Sequence, residues 1–352
     1  MNGINVLEQM DFSLLNDMLN EIFPSRAMSF QDMLGKIMEG DMEFSMEAVL
    51  ELLRNALFQG ITESKNIFLA ILVLGIFGAL LSNVTELFEN KQVAEFAHYF
   101  IFLLLAILLF KSFQLSLEIS EGAINRIMDF MRAFIPAYSL SLCFSSGAMT
   151  AYSYYQFVFI IIYGLESLLF AFFIPLCQCY VFLSVMNGVS GAKRLEGILV
   201  LLDKLIKGGV KLASFLTIGS SVLHSMLMPA IDNVNTKLVQ KSIGMVPGLG
   251  DVTDSMTEVF LGSALLIKNS IGVTALILLL LICIIPLIKL FCIGGALKLA
   301  GALLGMFGEK KQVHFIEQMG NGSFHMFQIT LCTMVMFFIS VALIAGVTIG
   351  GM

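Results

Sequence analysis

The length of its apolar runs constrains this chain more than any other feature. Residues 152–189 carry a single formal charge, Glu166, over 38 positions. About 20 helical residues cross the roughly 30 Å of hydrocarbon in a bilayer, so 38 are too many for one span and few for two. Pro175 near the middle favours a tight helical hairpin or a broken helix, because proline removes a backbone donor that lipid cannot replace. Clear spans lie at Asn66–Val84 and Phe96–Leu117, and further hydrophobic segments at 212–228, 271–288, 289–307 and 322–349. That makes six to eight membrane-embedded helices.

Composition agrees. Hydrophobic residues make up 58% and charged residues 13%, against about 45–50% and 25% in soluble domains, and mean hydropathy is +0.90. This excludes an ordinary cytosolic enzyme and a disordered tail. A net charge of −6 also speaks against nucleic acid as a partner, since that needs a basic surface. Membrane lipid is the expected surrounding. The six cysteines lie in apolar runs without zinc spacing, and Cys177-x-Cys179 has no second pair, so they read as packing residues.

Charge divides the chain. Residues 1–65 hold eleven Asp/Glu and four Lys/Arg, while 66–352 are nearly neutral. An acidic amphipathic-helical region, 1–65, therefore precedes a membrane domain, 66–352. Within Phe44–Phe58, Met46, Val49, Leu50, Leu53 and Leu57 share one face, and Glu47, Glu51 and Arg54 another. Packing within the protein is the expected use of that apolar face. The first twenty residues lack the basic and apolar regions of a signal peptide, so an exported head needs a removed leader or the first span to carry it. The stretch Lys193–Lys211 holds five Lys/Arg against Glu196 and Asp203. It is expected to face the cytoplasm, with the acidic region on the other side, extracytoplasmic in this reading.

The chain also resembles itself. Ile135-Pro136 returns as Val246-Pro247 and Ile174-Pro175 as Ile285-Pro286, both 111 residues later. A tandem repeat of 97–207 and 208–318, followed by a C-terminal span at 322–349, would explain this. Broken helices at matching positions are a transporter layout, and the copies are inverted or parallel according to the number of crossings. The fold class is thus an all-α polytopic membrane protein with proline-broken helices.

No phosphate loop, H-E-x-x-H or G-x-S-x-G is present. The expectation is no enzyme, no catalytic residue, no metal and no cofactor. The histidines His98, His224, His314 and His325 are scattered and expected at interfaces or helix ends. Glu166 is the informative charge, because an ionised carboxylate at bilayer centre costs roughly 2.5–3.5 kcal/mol on insertion scales. It belongs either to a proton or polar-solute pathway or to an ion pair with Lys289 or Lys298. Lys111 and Lys289, at span ends, also suit snorkelling anchors. Gly294-Gly295 and Gly301 suit close helix approach.

Val246-Pro-Gly-Leu-Gly-Asp-Val-Thr-Asp-Ser255, Gly262-Ser-Ala-Leu-Leu-Ile-Lys-Asn-Ser-Ile-Gly272 and Ile285-Pro-Leu-Ile-Lys289 resemble the hallmark stretch of the stage III sporulation protein AE family. Phe134-Ile-Pro-Ala137, Ser145-Ser-Gly147 and Glu43-Phe-Ser-Met46 are similar to it too, and the resemblance runs from about residue 28 to the end. The positions that carry it are Pro136, Pro247, Gly248, Asp251, Asp254, Ser263, Lys268, Asn269, Gly272 and Pro286. The resemblance implies a multi-pass protein of the mother-cell membrane around the forespore. It also implies the other stage III A proteins as partners, an ATPase subunit among them, with the forespore protein stage II Q. Together these form a channel complex that late forespore development needs. Its members often begin with a signal peptide. The rival readings are a stand-alone proton-coupled secondary transporter and a non-transporting membrane scaffold.

Overall fold

The protein was analysed as a computed structural model, which describes residues 16–17, 29–38, 43–85, 91–146, 160, 163–190, 195–217, 219, 250–306 and 310–346. The described residues are helical and contain no strand. A short helix, α1 (Phe30–Met38), precedes α2 (Glu43–Thr85) and α3 (Lys91–Ser146). Helical residues 163–168 pass through a π turn, Leu169–Phe173, into α4 (Ile174–Ser190). Then come α5 (196–217), α6 (Gly250–Leu304) and α7 (Lys310–Gly346). Ser29 caps α1, accepting a hydrogen bond from Asp32 N at 3.0 Å, and the Asp32 carboxylate accepts one from Ser29 N at 3.3 Å. This is a reciprocal capping arrangement with Asp in the acidic position.

Among the described residues, five stretches are long and apolar enough to cross a membrane: Leu53–Leu80, Tyr99–Phe134, Tyr163–Gly188, Ser270–Leu304 and Lys310–Val341. Two expected divisions disappear. Segments 271–288 and 289–307 are largely one helix, α6, which runs through Pro286. The span Phe96–Leu117 continues through the charged segment 118–134 and past Pro136 as α3. Hence Pro136 and Pro286 do not break their helices. Prolines are tolerated in membrane helices where neighbours and local adjustment satisfy the freed groups. Pro175 shows one such adjustment. It has no N–H for the carbonyl of Ala171, and the widened π turn spans that residue. Residues 152–189 therefore hold a single span at 163–188 and no hairpin among the described residues.

Contacts give the direction of each helix. Gly60 faces Cys292 and Gly75 faces Leu304, so α2 and α6 run parallel. Gly294 meets Phe324 and Gly301 meets Ile316 and Glu317, so α6 and α7 are antiparallel. Phe102 packs on Phe315 at 5.2 Å, and Ser116 reaches Ser323 at 3.2 Å, making α3 parallel to α7. Tyr180 lies against His325 and Gly188 against Phe315, which sets α4 antiparallel to α7. Asp203 touches His325 and Ser214 touches Cys332, so α5 runs with α7. Helices α2 to α7 thus alternate in direction. Residues 163–190 and 274–301, matched by the 111-residue offset, point the same way, so any duplication is of the parallel kind. Much of the second copy, including Pro247 and Gly248, lies outside the described residues.

The core joins Leu105, Leu109 and Phe113 of α3, Cys177 and Val181 of α4, Leu290 and Leu297 of α6, and Phe315 and Met319 of α7. Helix α2 packs differently from the expectation. Leu50 and Leu57 are exposed, while Ala56, Gly60 and Ser64 are buried. Their four-residue spacing makes a small-residue stripe that lets α6 approach closely, the packing mode expected where lipid removes the advantage of burying leucine. Gly294 and Gly301 serve α7 likewise, whereas Gly295 has nothing nearby. The exposed surface carries Val73 and Phe77 of α2, Phe100 of α3, Phe182 of α4 and Phe215 of α5. So much exposed aromatic and aliphatic surface matches hydrocarbon surroundings. The basic stretch Lys193–Lys211 is helical from residue 196 and buries Leu199 and Ile206 against the bundle.

Candidate functional site

Among the described residues, polar groups are buried chiefly along α7 and on the faces of α3, α4 and α5 that pack against it. Glu166 stands just before the π turn and is 1% exposed. Neither carboxylate oxygen has a hydrogen-bond partner among the described residues. The thiols of Cys283 on α6 and Cys332 on α7 lie within electrostatic reach. Thr333 Oγ1, also on α7, is buried and equally unpaired. The segment carrying Glu166 is fixed from α3: Arg132 donates to Tyr163 Oη from Nε at 3.2 Å and from Nη2 at 2.5 Å, and its guanidinium stacks over that ring.

Further along the seam, His325 is 1% exposed. Its Nε2 stands 3.0 Å from Asp203 Oδ1 on α5. The two atoms are in contact without an aligned hydrogen bond, and neither has another partner among the described residues. The other Asp203 oxygen accepts from Lys207 Nζ at 2.8 Å. His325 Nδ1 lies 3.5 Å from Gln328 Oε1, and the Tyr180 ring meets the imidazole edge to face at 5.4 Å. Tyr180 is in turn hydrogen-bonded to Asn321. Two hydroxyl pairs, Ser116 with Ser323 and Ser120 with Thr330, the latter at 2.7 Å, tie the opposite face of α7 to α3. In lipid such groups persist because the alternative is an unsatisfied dipole.

The expected partners of Glu166 are elsewhere. Lys289 bonds Glu63 of α2 at 3.1 Å. Lys298 is exposed, with its ammonium 5.4 Å above the Phe324 ring. No ion pair unites Glu166 with either lysine. Among the family positions, Pro136 lies in α3, and Asp251, Asp254, Ser263, Lys268, Asn269, Gly272 and Pro286 lie in α6. Of these only Gly272, buried, and Pro286, half-buried, have described surroundings. His314 is exposed and bonded to Gln318 at 2.9 Å, whereas His325 is buried inside a span and not at a helix end. Its signal was present in α7, where Asn321, His325 and Gln328 follow at four and three residues and so share a face. Taken singly, the histidine gave no sign of this. Among the described residues no group of three His, Cys, Asp or Glu side chains could hold a metal.

Long apolar helices around a buried polar seam define a polytopic helical membrane protein. The family model for stage III sporulation protein AE matches residues 28–348, and the chain belongs to that family. It is similar to stage III sporulation protein AE of Bacillus subtilis (strain 168), with 24% identity over 332 residues, covering 94% of this chain and 83% of that protein. No solved structure matches.

Proposed function

We propose that this chain is a core membrane subunit of the complex of stage III A proteins and stage II Q that links mother cell and forespore, serving as a permease-like conduit or its platform. The family match over residues 28–348 carries this reading. The buried seam supports it, because polar groups held inside apolar helices mark solute or ion routes. Energy would come from the ATPase subunit of the complex or from a gradient. The region 1–65 would face the space between the two cells, with 66–352 as the membrane domain. The alternation of α2 to α7 supports that placement. It gathers the start of α3 at Lys91 and the start of α7 at Lys310 and Lys311 at one end, and positive residues favour the cytoplasmic side. The test is to delete the gene in its own host and follow late forespore gene expression. Loss of that expression, restored by the full chain, is expected; unchanged expression would refute the role.

A second reading is a proton-coupled transporter working alone, and the unpaired carboxylate of Glu166 favours it. Purified chain in liposomes should then accumulate solute under a proton gradient, and Glu166→Gln should abolish uptake. Vesicles that take up solute only with partner proteins would leave the subunit reading standing.

A further inference from the structure

We propose that Asp203 and His325 form a proton-binding site inside the bundle, and that proton occupancy of this site clamps α5 onto α7. The pair differs from Glu166 in having a route to the surface. His325 is 1% exposed, but the Asp203 side chain that touches it is 24% exposed and the Lys207 side chain beyond is 47% exposed. A proton can therefore pass from solvent or headgroup region to the carboxylate and on to imidazole Nε2 over the 3.0 Å gap. Nδ1 faces Gln328 Oε1, an acceptor suited to the N–H that this nitrogen carries once the ring is doubly protonated.

The groups facing the imidazole are Tyr180 from α4, Asp203 and Lys207 from α5, and Gln328 from its own helix. Asp203 is the acid among them. With the ring protonated, α5 and α7 are joined by opposite charges in a setting of low dielectric. With the ring neutral, the carboxylate keeps Lys207 and loses its charged partner in the bundle. Farther along the same two helices, Ser214 Oγ lies 3.2 Å from Cys332 Sγ, and Cys332 Sγ lies 3.7 Å from Val210 O. These contacts report how closely α5 sits on α7. The site stands independently of the conduit or platform role.

The test uses the full chain in nanodiscs with isotope-labelled histidine, His325→Gln identifying the resonance. In Asp203→Asn the proton affinity of His325 should fall about tenfold or more, because the opposing charge is gone, with the other imidazoles unmoved. At one fixed pH below the His325 midpoint, oxidation by added iodine, which becomes iodide and needs no thiolate exchange, should join Ser214→Cys to native Cys332 efficiently, and the yield should drop in both His325→Gln and Asp203→Asn backgrounds. If Asp203→Asn fails to fold, the surface change Lys207→Gln serves instead and should raise His325 proton affinity by removing a neighbouring positive charge. An unmoved midpoint in the variant that folds, or undiminished trapping in His325→Gln, overturns the proposal.

Discussion

Lys289 Nζ and Glu63 Oε1 stand 3.1 Å apart and join α6 to α2 across 226 residues of sequence. The lysine sits three positions past Pro286, where sequence reading divides two spans, yet α6 continues through both residues. Its charge is matched by a side chain on a neighbouring helix. The side chains remain 23% and 43% exposed. A double-mutant cycle with Glu63→Gln and Lys289→Met, read by thermal unfolding in detergent, should give a coupling of about 1 kcal/mol or less.

Close approach of α5 to the π turn depends on one glycine. A Cβ at Gly209 would overlap the Phe173 ring, while one at Gly208 would meet nothing within 4 Å. Gly209→Ala should therefore cost about 1–3 kcal/mol through overpacking. Gly208→Ala should be neutral or stabilising by up to about 1 kcal/mol from helix propensity. Unfolding midpoints of the two variants in the same detergent separate these outcomes.

Ser120 and Thr330 share a buried hydrogen bond at 2.7 Å. Thr330 also bonds its own helix at Met326 O, 2.9 Å away, so its hydroxyl keeps one partner when Ser120 is lost. The Ser120→Ala, Thr330→Ala cycle should yield about 0.6 kcal/mol and no more than about 1.7.

Glu166→Gln keeps the side-chain shape and removes the ionisable group from a site without hydrogen-bond partners among the described residues. A neutral amide costs about as much to bury as the neutral acid and less than an ionised carboxylate. Stability should be unchanged or higher, measured by melting in detergent, even where transport or late forespore expression falls.

The helical class and its membrane setting were legible because hydrophobic run length is a local property. Family membership was legible from the stretches around Pro247, Lys268 and Pro286. Helix continuity was not. Pro136, Pro286 and Lys289 look like breaks in one dimension, and the partner of Lys289, Glu63 on α2, is invisible there. On α2, leucines at helical spacing suggest a core in water, whereas Ala56, Gly60 and Ser64 are buried, with α6 meeting Gly60, and Leu50 and Leu57 stay outside. Burial of Glu166 followed from its surroundings in sequence. The Asp203–His325 contact did not, because no periodicity links residues on α5 and α7.

The central claim is that these helices act as one membrane component of a sporulation assembly. Its most direct measurement is detergent extraction of the tagged chain from membranes of sporulating cells, with mass spectrometry of what accompanies it. The account predicts recovery from the membrane fraction together with other stage III A proteins, including the ATPase subunit. Recovery alone, or from the detergent-free soluble fraction, would contradict it.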